Sequence, residues 1–230
     1  MTDLSDDELR AAATQRELPV HDYSLLRQAL THKSLVPDRP FESNERLEFL
    51  GDGVLGLIID DYLFRTYPER TEGELAKAKA LVVCKSALAE AASRLSLQSL
   101  LQIGMSEEVL GGRNRASLLA DAYEAIIAVI YLESGFERAS AFVQTTLADE
   151  IAQLAEARDW RDSKSILQEQ RQATHRSAPV YRVVAEQGKP HDKTFAIEVL
   201  LDGAVAGSGV GKTKKEAEQA AAEAALQIPR

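Results

Sequence analysis

The stretch NERLEFLGDGVLGLII (Asn44–Ile59) places three carboxylates, Glu45, Glu48 and Asp52, in an otherwise apolar run. Its apolar residues recur at spacings of three and four, the mark of a helix with a buried face. At about 100° per residue, acids at i, i+3 and i+7 fall within roughly 60° of one another. Leu47, Phe49, Leu50, Val54 and Leu55 claim the neighbouring surface for a core. The acids therefore border buried surface. Like charges on one helix face cost stability unless something positive offsets them.

The same period extends outward through YSLLRQALTHKSL (23–35), GELAKAKALVVCKSALAEAASRL (73–95) and SLLADAYEAIIAVIYLESG (117–135). Thr71 with Glu74 predicts a capping box, Ser117 an N-cap and Gly135 a helix end. Residues 1–155 read as an all-α domain. The charged stretch AEARDWRDSK (155–164) interrupts the pattern, and residues 156–162 are expected to be a linker. Residues 163–230 change character. SKSILQEQRQA reads as a helix, and PVYRVVAEQ, TFAIEVLL and AVAGSGV as strands. GKPHDK and LDG read as the turns between them, and GKTKKEAEQAAAEAALQ as a final helix. The order α-β-β-β-α predicts a small α+β domain, with an antiparallel sheet and both helices on one face.

Composition narrows the class. The 230 residues are 45% hydrophobic, enough for one or two domains with a real core. MTDLSDDELR at the N-terminus is acidic and lacks the apolar segment of a secretory signal. The apolar runs Val54–Ile59 and Ile126–Leu132 are far too short to span a bilayer. One cysteine, Cys84, leaves no intramolecular disulfide and no cysteine-based zinc cluster. Its apolar helical surroundings predict a core position, and these features together predict a cytoplasmic protein. The net charge of −9 is unevenly spread. Residues 1–160 hold 16 Lys+Arg against 27 Asp+Glu (−11), and residues 161–230 hold 11 against 9 (+2). The acidic part would repel a polyanion unless cations intervene.

A second acid pair, Asp121 and Glu124, sits at i and i+3 within one of the most apolar segments. Arg46, Arg113 and Arg115 are available partners, few for so many acids. Salt bridges and helix caps are one answer. A bound divalent cation is the other, because hard cations such as Mg²⁺ take carboxylate oxygens, waters and substrate phosphate. No His or Cys cluster favours zinc. Glu72 lies in a first helical turn, where the helix dipole favours an acid in any case.

The last helix opens as GVGKTKKEAEQ (Gly209–Gln219), with Thr213 and Glu216 as a second capping box. Lys212, Lys214 and Lys215 crowd an end where the dipole disfavours cations. Free amides and lysines together make an anion site. Gly209 and Gly211 are expected to keep the approach open to a phosphate backbone. Stacking aromatics are missing beside the lysines, because Tyr181 and Phe195 alternate on strands. A duplex read through phosphates and shape is the better ligand.

NERLEFLGD resembles the signature of the ribonuclease III family. ALTHKS (Ala29–Ser34), TEGELAKAKALV (Thr71–Val82) and SLLADAYEAIIAVIYLESG (Ser117–Gly135) resemble further motifs of that family. LQE (Leu167–Glu169), GKPHDKTF (Gly188–Phe195) and GVGKTKKEAE are similar to a double-stranded-RNA-binding domain. The resemblance covers nearly the whole chain after its first 20 or so residues. It implies a helical endonuclease domain followed by a double-stranded-RNA-binding domain. It also implies a homodimer that cuts double-stranded RNA with Mg²⁺, for which Mn²⁺ can substitute. Products would carry 5′-phosphate and 3′-hydroxyl ends with short 3′ overhangs, and targets would include ribosomal and other structured RNA precursors. Glu48, Asp121 and Glu124 match the family's metal ligands, Asp52 and Glu124 its critical catalytic acids, and Glu45 and Glu72 two further acids of the cleavage centre. In the RNA-binding domain, Lys214 and Lys215, with Lys212 assisting, match phosphate contacts. Gln168, Glu169 and His191 match minor-groove contacts.

All six nuclease positions carry an acid. Ala128, Lys79 and Lys212 depart from the residues usual in the family, and none removes a functional group. Two rival readings stay open at this point. One is a duplex-RNA-binding protein without cleavage, and the other a metal-dependent phosphohydrolase acting on small molecules.

Overall fold

A computed structural model describes residues 4–156, 163–188 and 193–227. The chain divides into two compact units, 1–158 and 159–230. The first holds α1 (Asp6–Gln15), α2 (Tyr23–Ala29), α3 (Glu45–Thr66), α4 (Glu72–Val82), α5 (Lys85–Arg94), α6 (Met105–Val109), α7 (Ala116–Thr146) and α8 (Ala148–Glu156). Among the described residues, no helix is long and apolar enough to cross a membrane.

The pairing of α3 with α7 dominates this unit, and α5 packs on α7 as well. Leu55, Ile58, Ile59 and Leu63 of α3 and Tyr123, Ile126, Ile127 and Ile130 of α7 are buried. Each such side chain contributes about 1.5–3 kcal/mol by leaving water. Gly51 allows the close approach of the two helices. A Cβ there would lie 1.9 Å from the carbonyl oxygen of Glu124.

Several helix ends follow the sequence reading. Thr71 Oγ1 accepts from the Glu74 amide, and Glu74 Oε2 accepts from the Thr71 amide at 2.9 Å. Gly135, at φ 78°, breaks the helical conformation inside α7. An additional capping box, Ser5 with Glu8, starts α1, whose Leu9, Ala12 and Ala13 are buried.

Other ends differ. The pattern through YSLLRQALTHKSL does not stay helical. After α2, Thr31 bridges to Gln102, and the Asn44 amide donates to the Thr31 carbonyl at 2.8 Å. The 73–95 pattern splits into α4 and α5 at Cys84, whose extended backbone (φ −70°, ψ 151°) is the N-cap of α5. Cys84 is half-buried rather than core, with Sγ 3.3 Å from the Leu81 carbonyl. Ser117 lies inside α7 and is not its cap. Arg115 is the N-cap, and its ion pair with Glu107 (3.0 Å) ties down that helix start in place of a hydroxyl.

The second unit holds α9 (Ser163–Ala173), β1 (Val180–Gln187), β2 (Thr194–Leu201), β3 (Ala204–Gly211) and α10 (Lys214–Leu226). The sheet is antiparallel in the order β1-β2-β3. Leu167 of α9, Ile197 and Val199 of β2, and Ala217, Ala221 and Ala222 of α10 share one core. Both helices thus cover the same face. Asp202 and Gly203, both with positive φ, make the two-residue β2–β3 turn. The buried Arg171 guanidinium ties this turn to α9 by pairing with the Asp202 carboxylate.

Candidate active site and RNA-binding surface

Glu48 projects from α3, and Asp121 and Glu124 from the first turns of α7. One carboxylate oxygen from each lies within 4.8 Å of the other two. All three residues are half-buried. Burial raises the Glu48 carboxyl above the ordinary range, and the charges of Asp121 and Glu45 add to this. Burial raises Asp121 too, against the pull of Lys85, His32 and Lys33. Glu124 is pushed up to about 7, first by burial and then by Asp52, Glu48 and Asp121. Three acids that resist ionising together, with converging oxygens, form an oxygen-only donor set suited to a hard divalent cation.

The other sequence-predicted acids stand outside this trio. Asp52 is exposed, but its charge reaches Glu124. It also lines a shallow apolar depression with Phe49, Leu57, Tyr131 and Phe136. Glu45 is exposed and bonded to Lys33 Nζ at 2.8 Å. Glu72, at the start of α4, lines a different hollow beside Leu57, Phe64, Tyr67 and Lys79. The structure does not place Glu72 in the trio.

Two of the three expected arginine partners are engaged elsewhere, Arg113 with Glu108 (2.7 Å) and Arg115 with Glu107. The cations that act on the trio are Lys33 and Lys85. His32 joins them, its Nδ1 2.8 Å from Ser34 Oγ, and Ser34 Oγ accepts from the Gly104 amide at 2.9 Å. Burial lowers the His32 pKa, although Glu107 and Asp121 pull the other way. ALTHKS carries part of the family resemblance, but nothing in its spacing shows that Lys33 and His32 act on these acids.

In the second unit Gln168 and Glu169 are exposed on α9, beside the buried Leu167. Lys212, Lys214 and Lys215 are exposed around the start of α10. Lys214 Nζ lies 5.7 Å from the centre of the Phe195 ring. His191 falls outside the described residues. Thr213 caps α10 by accepting from the Glu216 amide at 3.1 Å. The return arm differs from the expected box, since Glu216 Oε2 accepts from the Lys212 amide. Gly209 and Gly211 do not open an approach to a phosphate backbone; they face α10. A Cβ on Gly209 would lie 2.2 Å from the Ala221 nitrogen, and one on Gly211 2.6 Å from the Ala217 nitrogen. These glycines let α10 approach β3.

Residues 22–151 match the Ribonuclease-III-like family model, and residues 163–228 match the Double-stranded RNA binding motif. The chain is 44% identical to Ribonuclease 3 of Desulforamulus reducens over 225 residues, 96% of this chain and 92% of that protein. The chain belongs to the ribonuclease III family. It is 46% identical to Ribonuclease 3 of Heliobacterium modesticaldum over 90% of this chain and 88% of that one. The nuclease domain of ribonuclease III from Campylobacter jejuni superposes with a TM-score of 0.58 at 37% identity, covering 62% of this chain and 97% of that one. As a ribonuclease III family enzyme, the protein is an endoribonuclease acting on double-stranded RNA. The family implies a divalent metal ion, and among the described residues the Glu48–Asp121–Glu124 trio is an acid set that could hold one.

Proposed function

We propose that the protein is a homodimeric, Mg²⁺-dependent endonuclease that hydrolyses phosphodiester bonds in double-stranded RNA. Its products carry 5′-phosphate and 3′-hydroxyl ends. Its work is the processing of ribosomal and other structured RNA precursors in the cytoplasm. The observation that carries this reading is the convergence of Glu48, Asp121 and Glu124.

In this reading the trio binds the metal ion, with Mn²⁺ able to replace Mg²⁺. When bound, the ion supplies Lewis acidity that activates water and offsets charge on the phosphate. Asp52, beside Glu124, orients the attacking water and accepts its proton. Glu45 and Glu72 border the cleavage centre. Their place there rests on the resemblance.

The dimer reading rests on α3. Phe49, expected from its spacing to border the core, is instead 83% exposed; Leu57 and Phe64 are 58% and 73% exposed, and the three fall within about 80° on that helix. Exposed apolar surface of this kind marks an interaction site. The Campylobacter jejuni structure is described in terms of a region involved in dimer formation. Residues 1–155 serve as the endonuclease domain, 156–162 as the linker and 163–230 as the RNA-binding domain. Lys212, Lys214 and Lys215 meet phosphates. Gln168, Glu169 and His191 meet minor-groove edges and 2′-hydroxyls, which separate RNA from DNA.

The test is incubation with end-labelled duplex RNA, single-stranded RNA and duplex DNA, in Mg²⁺ or EDTA. Mg²⁺-dependent cutting of duplex RNA alone, to fragments that a 5′-phosphate-requiring ligase can rejoin, is expected. Binding without cutting in both Mg²⁺ and Mn²⁺ would leave only a duplex-RNA-binding protein.

A further inference from the structure

A further hollow of the first unit, of about 560 Å³, is lined from α2, from residues 35–42 and by Gln102. Small-ligand sites have this size. The hollow shares no residue with the acid trio or with the exposed apolar face of α3.

Three features point to a ligand. Gln102 is only 8% exposed, yet its amide nitrogen has no hydrogen-bond partner among the described residues. A buried donor left unmade costs stability, so this amide gains from an acceptor that enters beside it. Gln28 is the complement. Its amide nitrogen donates to the carbonyls of Phe41 (2.9 Å) and Ser43 (3.1 Å), which fixes its oxygen as an acceptor. Phe41, whose backbone is held by the first of these bonds, is 74% exposed. An aromatic ring open to water at the edge of a hollow offers a stacking face.

The charge of the hollow is also out of keeping with its surroundings. Residues 1–160 carry −11, but the charged side chains of the lining are Arg27, Arg39 and Glu42, a net +1. Arg39 pairs with Glu42 at 2.7 Å, and both side chains are more than half exposed. Such a surface pair is worth little and yields to a phosphate, which a guanidinium can hold with two bonds.

A stacking ring, an amide donor beside an amide acceptor, and a guanidinium answer the three parts of a nucleotide: base face, base edge and phosphate. A sugar phosphate would leave the ring and the amides unused. We infer that this hollow binds a single unpaired nucleotide. Its base stacks on Phe41, its edge bonds to Gln102 and Gln28, and its phosphate lies on Arg39. The nucleotide comes either from free solution or from an unpaired position of an RNA. Because the hollow and the trio share no residue, its occupancy and the cleavage proposed above stand or fall separately.

Calorimetric titration of the full chain in EDTA tests this, since no metal then bridges a nucleotide to the acids. The probes are the four ribonucleoside 5′-monophosphates, ribose 5-phosphate, and a short RNA duplex with blunt ends or with a one-nucleotide 3′ overhang. A nucleotide should bind at one site per chain, and ribose 5-phosphate on the order of tenfold more weakly or less. Phe41→Ala and Gln102→Leu should each weaken nucleotide binding on the order of tenfold. Their melting temperatures should be no lower than wild type, and Phe41→Ala should cut blunt duplex RNA in Mg²⁺ at the wild-type rate. If Gln102→Leu does not fold, Phe41→Ala, at an exposed position, still decides. An overhang that tightens binding to wild type but not to Phe41→Ala assigns the nucleotide to RNA. Monophosphate binding with no effect of the overhang assigns it to free solution. Ribose 5-phosphate bound as tightly as the nucleotides, or nucleotide affinity unchanged in Phe41→Ala, would overturn the site. So would wild type that binds no monophosphate and does not distinguish the overhang from the blunt end.

Discussion

Gly51 of α3 lies directly against the backbone of Glu124 on α7, so close that an added methyl group would sit 1.9 Å from the Glu124 carbonyl oxygen. The contact sets the spacing between the helix that carries Glu48 and the helix that carries Asp121 and Glu124. Gly51→Ala must push the two apart. The expected cost is about 1–3 kcal/mol, as for other overpacked cores. Denaturant unfolding measures it, and cleavage should fall further than that loss of folded protein explains. A variant with wild-type stability and rate would remove Gly51 from the account of the site.

The raised Glu124 pKa gives a pH signature. Between the ordinary glutamate value of 4.5 and about 7, the native metal-free protein holds more protons than the unfolded chain. Its stability contribution therefore falls as pH rises through that window. Melting temperatures of wild type and Glu124→Gln, without metal, should diverge as pH climbs from 5 to about 7, wild type losing ground. Parallel curves would show that Glu124 ionises normally.

Metal binding must displace the proton that Glu124 holds near neutral pH. Calorimetric titration of Mn²⁺ in two buffers of different ionisation enthalpy should reveal proton release at pH 6 that shrinks by pH 8. Identical heats in both buffers at pH 6 would place the metal elsewhere.

Phe49 is the most exposed large apolar side chain among the described residues of α3. If this face makes the dimer, Phe49→Asp should weaken association by about 2 kcal/mol or more, as loss of an interface anchor does. Sedimentation velocity across a concentration series would show monomer replacing dimer. An unshifted dimer would point to another face.

Lys214→Ala and Lys215→Ala should each weaken duplex-RNA binding and lower its salt slope by about one, with little dependence on sequence. Filter binding at several salt concentrations reads both. A weaker affinity with an unchanged slope would mean that the lysines act through the fold of α10 and not on phosphate.

The helical first unit and the α-β-β-β-α second unit were legible because apolar period is a local property. The two acid clusters, Glu45, Glu48 and Asp52 on one helix and Asp121 and Glu124 on another, were legible too, since their spacing inside apolar helices is visible in one strand of text, but that Glu48 joins Asp121 and Glu124 was implied only by the family resemblance. The break at Cys84 was not, because the apolar period of α4 runs on into α5 without a Gly or Pro. Ser117 looked like a cap, but a tertiary tie between Arg115 and Glu107 starts that helix. Lys33, His32 and Lys85 act on the acids from segments remote in sequence, and no spacing rule reports that. Gly209 suggests room for a ligand in the sequence, but the neighbour it makes room for is Ala221.

The central claim is that Glu48, Asp121 and Glu124 hold the divalent ion that cutting requires. The most direct measurement takes wild type and Glu124→Gln through three assays on the same preparations: Mn²⁺ titration calorimetry, duplex-RNA binding and Mg²⁺-dependent cleavage of that duplex. Wild type should bind metal and cut. Glu124→Gln should bind duplex RNA as tightly as wild type while losing strong metal binding and cleavage together. A Glu124→Gln protein that binds metal and cuts like wild type would contradict the account.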